Sequence, residues 1–321
     1  VTARWRALFS GVLAALVAIA APAFAQAPKK TPPPPAKQAA GDNADLAYGA
    51  FQRGLYLTAF NEASKRAQQN DAKAMVLLGE LYAKGLGVVR DDSKAAQWYK
   101  LAAAAGEREA MFALAMFYLE GRAGARNDAE AQRLLEAAAN LGHAAAAYDL
   151  GLLYLQGQQM PQNLARAAEL FGKAADAGSA EAQYALGTLY KQGRGVAMDP
   201  NAAMRLMGQA SVAGNIEAMV EYAIGQFNGA GVVKDEAAAA LLFLKAAQRG
   251  NPVAQNRLAR ILMAGRGMPA NPAEAVKWHI IAKAGGLGDP ELDLFASKQS
   301  QAVRDAADKA VKLWFSTAAA L

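Results

Sequence analysis

His143 and His279 are the only imidazoles in this chain of 321 residues, and so the only side chains whose ordinary titration falls near neutral pH. They stand far apart in sequence, and no cysteine accompanies them. That composition excludes a disulfide framework, a thiolate metal site and a cysteine nucleophile, and it leaves little material for a zinc site or a histidine-based triad. No Gly-x-Ser-x-Gly elbow or His-Glu-x-x-His pair occurs. Acidic residues are dispersed, and no carboxylate pair stands out for general acid–base work. Gly-x-Gly loops such as Gly85-Leu86-Gly87 and Gly265-Arg266-Gly267 invite a phosphate-cradle reading. A dinucleotide fingerprint needs a preceding strand and a third glycine opening a helix, and here the loop recurs at fixed intervals between helical patterns. A turn is the expected role. The 34 Lys and Arg against 28 Asp and Glu give a net charge of +6, but no concentrated basic and aromatic patch argues for nucleic acid.

The elements that would position any site come from self-similarity. Glycines at 85, 121, 157, 193, 229 and 265 are 36 residues apart, and so are those at 106, 142, 178, 214, 250 and 286. Six repeats of 36 residues therefore occupy 71–286. Ala74, Ala110, Ala146, Ala182, Ala218 and Ala254 form one column; Leu78, Leu114, Leu150, Leu186, Tyr222 and Leu258 form another, four residues on. Spacings of four drift slowly around a helix of 3.6 residues per turn, so these columns predict one buried stripe on a first helix, A. Asp91, Asn127, Asn163, Asp199, Asp235 and Asn271 predict N-caps for a second helix, B, with Pro200 and Pro272 at its first position. Two Ala columns, beginning at Ala95 and Ala102, complete the stripe of helix B, and the Gly106 column ends it with a left-handed cap.

Arg4 and Arg6 precede an apolar run from Ala7 to Ala21, and Ala23-Phe24-Ala25 offers small residues for cleavage. Residues 1–25 are expected to be a signal peptide cut after Ala25. Residues 26–43, with Pro32 to Pro35 consecutive, predict an extended proline-rich tether. A capping hairpin at 44–70 and capping helices at 287–321, opening at Ser300-Gln301, are expected to close the ends of the array. Residues 1–43 hold five basic residues against Asp42, so most of the net charge belongs to export and tether.

Leu78-Gly79-Glu80-Leu81-Tyr82, Leu186-Gly187-Thr188-Leu189-Tyr190, Gly193-Arg194-Gly195-Val196 and Ala174-Ala175-Asp176-Ala177-Gly178 make the chain resemble the Sel1-like repeat family, relatives of tetratricopeptide repeats. Ala115 and Ala223 depart at the helix A glycine, and Ala123 and Gln159 at the second loop glycine. The resemblance implies an all-α, right-handed solenoid of antiparallel helix pairs that binds a protein partner, without cofactor or catalytic activity. By analogy with tetratricopeptide repeats the concave face would be lined by Phe112, Met116, Tyr148, Leu152, Tyr184, Thr188, Val220 and Ile224. Glu120, Gln156, Lys191 and Asn228 would lie at its polar border. The expected setting is the periplasm, with an envelope or inner-membrane protein as partner, no nucleic acid, and no stable membrane insertion once the signal peptide is removed. Some relatives are associated with penicillin binding, which keeps an envelope hydrolase or a peptidoglycan- or penicillin-binding protein as the alternative. No Ser-x-x-Lys motif is present to serve it.

Overall fold

The computed structural model describes residues 45–158 and 160–319; the expected signal peptide, the tether and Gln159 lie outside them. Among the described residues there are sixteen helices and no strand. One compact unit, ending at Asp199, contains α1 (Leu46–Gln52), α2 (Tyr56–Ala67), α3 (Ala72–Lys84), α4 (Asp92–Ala104), α5 (Arg108–Glu120), α6 (Asp128–Asn140), α7 (Ala144–Gln156), α8 (Leu164–Asp176) and α9 (Ala180–Gln192). The second begins at Pro200 and contains α10 (Pro200–Val212), α11 (Ile216–Asn228), α12 (Glu236–Gln248), α13 (Pro252–Ala264), α14 (Pro272–Ala284), α15 (Pro290–Ser297) and α16 (Gln301–Ala319). Within each unit consecutive helices up to α14 pack on one another, and α15 and α16 both rest on α14. The architecture is an all-α solenoid of helix pairs.

Local chemistry sets the helix length. Asp91, Asn127, Asn163, Asp235 and Asn271 each accept a hydrogen bond from the backbone N–H three residues on, which satisfies a donor that has no partner inside the helix. The A helices end at Gly85, Gly121, Gly157, Gly193, Gly229 and Gly265, whose φ of 64° to 71° is the left-handed conformation that other residues adopt at a cost. The B helices end in a Schellman turn, as where Gly106 N–H donates to Ala103 O and Glu107 N–H to Ala102 O, both at 3.0 Å. Between these stops every helix from α3 to α14 has 13 residues, about 20 Å of rise.

The packing explains why the columns are small. Ala95 and Ala102 and their equivalents in all six repeats are 0% exposed, so no methylene can be added where two helices meet without displacing one of them. The helix A glycine faces a ring of helix B: a Cβ on Gly79 would lie 2.5 Å from the Tyr99 ring, and one on Gly151 would lie 2.7 Å from Phe171. The second loop glycine fastens one repeat to the last, because a Cβ on Gly195 would lie 2.3 Å from the Leu164 carbonyl oxygen, at the start of the preceding B helix. Gly231 and Gly267 meet Pro200 and Glu236 in the same way.

The same register runs backward. Helix α2 starts 36 residues before α4, and Asn70, at φ 61°, stands where the repeats place the Gly106-type cap. Asn tolerates that conformation better than most side chains. The hairpin before the array is therefore a truncated repeat with a full-length helix B and a shortened helix A. Arg66 ties it to the array through Asp71, at 2.6 and 2.9 Å, and also binds Asp45.

Candidate functional site

The A helices carry the residues expected to face a partner, and the structure divides those residues by depth. Phe112, Tyr148, Tyr184, Thr188 and Ile224 are half-buried. Met116, Leu152 and Val220 are 8%, 6% and 6% exposed, and this corrects their expected place on an accessible surface. Met116 and Leu152 share a column with the half-buried Thr188 and Ile224, so depth in that column varies from one repeat to the next. Val220 shares the column of Phe112, Tyr148 and Tyr184, but its short side chain stays below the rim that the rings reach.

Two of the rings are braced from beneath. Phe112 stacks on His143 with ring centroids 4.6 Å apart, and Tyr148 leans on Phe171 at 5.7 Å. His143 is the N-cap of α7: its Nδ1 accepts from Ala146 N–H at 3.0 Å, which places the proton on Nε2, 2.9 Å from Glu109 Oε2. The histidine is thus a bracket between two repeats. Thr188 donates its hydroxyl to the Tyr184 carbonyl at 2.9 Å, inside its own helix. Ile224 packs against the apolar core around Phe243 and Leu258 in the second unit.

His279 is buried on α14, with Nε2 2.8 Å from Asp293 Oδ1. Among the described residues no group of three or more His, Cys, Asp and Glu side chains is placed to hold a metal ion, and no helix is long and apolar enough to cross a membrane.

Sequence reasoning missed two links. Arg122 reaches back to Asp92 through two bonds, 2.6 and 2.9 Å, while its guanidinium lies 4.0 Å over the Phe117 ring. The hydrogen bonds from Arg122 hold the Asp92 carboxyl well below the usual carboxylate range. Arg266 binds Glu236 in the same register, and Arg266 and Lys234 pull the Glu236 carboxyl down to about 2. In both links an arginine one past the A-helix glycine meets an acid at the first position of the preceding B helix. The signal was present as a 30-residue offset, legible only once the loop is known to fold back.

Shallow clefts also open among the described residues. One, about 320 Å³, opens over α5 between α4 and α6, where Glu130 and Arg133 are already paired at 2.6 Å. The other, about 630 Å³, lies beside Gly208 and over Tyr222, with Arg205 its single charged wall residue. Neither gathers a nucleophile and a base. The site with repeated, accessible and chemically similar side chains is the aromatic column of α5, α7 and α9.

Comparison with known proteins agrees with this reading of the fold. The Sel1 repeat model matches residues 72–107, 108–143, 144–179, 180–215, 216–251 and 252–287. The crystal structure of a Sel1 repeat protein from Oxalobacter formigenes is 30% identical, covers 75% of this chain and 97% of its own, and superposes with a TM-score of 0.61. The c5321 protective antigen of uropathogenic Escherichia coli, which displays the same repeat fold, is 24% identical over 81% of this chain and 64% of its own, with a TM-score of 0.52. No curated protein sequence matches the chain. Six consecutive matches that coincide with six observed helix pairs establish that the chain belongs to the Sel1 repeat family, whose members are generally protein-interaction scaffolds.

Proposed function

We propose that the chain is a non-catalytic, periplasmic interaction scaffold, a regulatory or assembly adaptor of the cell envelope that binds a segment of a partner protein on its A-helix face. One observation carries this reading. Phe112, Tyr148 and Tyr184 recur at one position of three successive A helices and stay half-buried, where a partner can reach them. Aromatic side chains bury large areas on contact with few rotors to freeze, which suits them to an interface. Export rests on the signal-peptide pattern at 1–25.

Crosslinking in the periplasm followed by mass spectrometry identifies the partner. Tyr148→Glu with Tyr184→Glu is then expected to lower capture of that partner at least about tenfold, since two buried aromatic contacts are replaced by charges. Far-UV circular dichroism of the double variant should match that of the parent. Undiminished capture by the folded variant would reject the aromatic face as the binding surface.

A further inference from the structure

We propose that His143 makes the aromatic column pH-sensitive: protonation of its ring removes the N-cap of α7, the helix that carries Tyr148. The inference deepens the function proposed above and rests on it, because it adds regulation to the same face.

The repeats fill this capping position in different ways. Ser179, Asn215 and Asn251 share the column of His143 and accept from the third backbone N–H of their helices at 3.2, 2.8 and 2.9 Å, through oxygens that do not titrate. His143 makes the same bond, 3.0 Å from Ala146 N–H, through Nδ1. A ring nitrogen accepts only while it carries no proton, and imidazole is the side chain that gains one between pH 5 and 8. In the imidazolium both nitrogens are donors, so Nδ1–H would face Ala146 N–H and the bond is lost. The cap is thus present at the higher pH and lost as pH falls. Ala146 is 0% exposed, so water reaches its orphaned N–H only when the first turn of α7 opens.

The charged groups around the ring do not replace that bond. On α5, Glu109 Oε2 lies 2.9 Å from Nε2, and its other oxygen lies 3.7 Å from Arg108 Nε. Arg108 also donates to the carbonyls of Leu141 and Gly142, just before His143. Helix α6 supplies the Ala138 carbonyl, which accepts His143 N–H at 3.0 Å; its last turn has no base, and its Glu136 accepts from the Tyr154 hydroxyl. Helix α7 has no acid before Asp149. The end of α8, which packs on α7, carries Asp176 and Lys173, the latter bound to Asn140 and Glu169. Glu109 therefore holds the imidazolium at Nε2 and leaves the opposite nitrogen pointing at the helix start. Acid keeps the bracket between the repeats and releases the first turn of α7. Phe112 stacks on this imidazole and Tyr148 follows Ala146 by two residues, so the two rings then lose their fixed spacing.

Amide exchange read by NMR tests the cap without any partner. Dividing the protection of Ala146 by that of Ala218, which Asn215 caps, cancels the intrinsic pH dependence of exchange. From about pH 7.5 to about pH 5 the ratio should fall about fivefold in the parent, the effect of losing a side-chain cap. It should stay level in His143→Asn, which installs the residue that caps two other repeats. His279 is present in both proteins, so its titration cancels in the comparison. A ratio that stays level in the parent, or falls equally in the variant, would overturn the proposal. Capture of the crosslinked partner should weaken over the same interval more in the parent than in His143→Asn, and equal weakening would overturn the regulatory role. If Tyr148→Glu with Tyr184→Glu leaves capture intact, the scaffold reading falls, while the exchange ratio still decides the cap.

Discussion

Gly178 and Gly195 separate two costs that a glycine column usually combines. Both have left-handed φ, 89° and 73°, yet a Cβ on Gly178 would meet nothing within 4 Å, whereas one on Gly195 would lie 2.3 Å from the Leu164 carbonyl oxygen. Gly178→Ala should therefore cost only the conformational penalty, about 1 kcal/mol. Gly195→Ala adds a backbone collision at the joint between two repeats, and it should cost roughly 3 kcal/mol or more. Urea unfolding of the two variants measures the difference, and equal losses would show that the close approach carries no energy. Both columns were legible as a 36-residue period. What set them apart was not, because a period says where a residue recurs and nothing about what lies opposite. His143 follows the same rule: its column of Glu107, Ser179, Asn215 and Asn251 pointed to a helix start, but its bond to Glu109 depends on how the next repeat leans.

At the scale of elements, the last repeat gives up its A-helix face to hold a cap. The column of Phe112, Tyr148 and Tyr184 becomes Asn256, and that of Met116 and Leu152 becomes Arg260. Arg260 binds Asp289 at 2.7 and 2.9 Å and Glu291 at 2.6 Å, and Asn256 donates to Asp289 at 2.9 Å. Helix α15 has eight residues and buries only Leu292, so these bonds, with His279 and Lys283 on Asp293, anchor what apolar contact does not. Arg260→Ala leaves the Asp289 carboxylate, 6% exposed, without its cation. Amide exchange in α15 should rise about tenfold while that of α14 holds, as expected from losing charge-assisted bonds worth ~1.5 kcal/mol or more. Unchanged exchange in α15 would mean that Leu292 alone suffices. Asn256 and Arg260 were visible in the sequence as polar residues in columns that are mostly apolar. Their meaning was hidden, because the residues they bind lie some 30 positions on, in a segment outside the repeat.

For the whole molecule, the packing within each unit runs from one helix to the next, so the energy of the array is close to a sum over neighbours. Such a chain should lose one internal repeat without losing its fold. Removing residues 144–179 joins His143 to Ala180, which keeps a cap before the next A helix and returns every glycine and alanine column to register. The shortened chain is expected to keep its helicity per residue and to unfold at a moderately lower urea concentration. Deleting 144–161 instead removes half a period, sets the B helix α8 where an A helix belongs, and should yield a chain that does not fold cooperatively. Circular dichroism through a urea titration distinguishes the two outcomes; collapse of both would show that the repeats depend on contacts beyond their neighbours. The in-phase deletion also takes out Tyr148 while sparing Phe112 and Tyr184, bringing those two rings into adjacent repeats. If the face binds by its ring spacing, the shortened array should lose less capture of the partner than the drop of at least about tenfold expected of Tyr148→Glu with Tyr184→Glu.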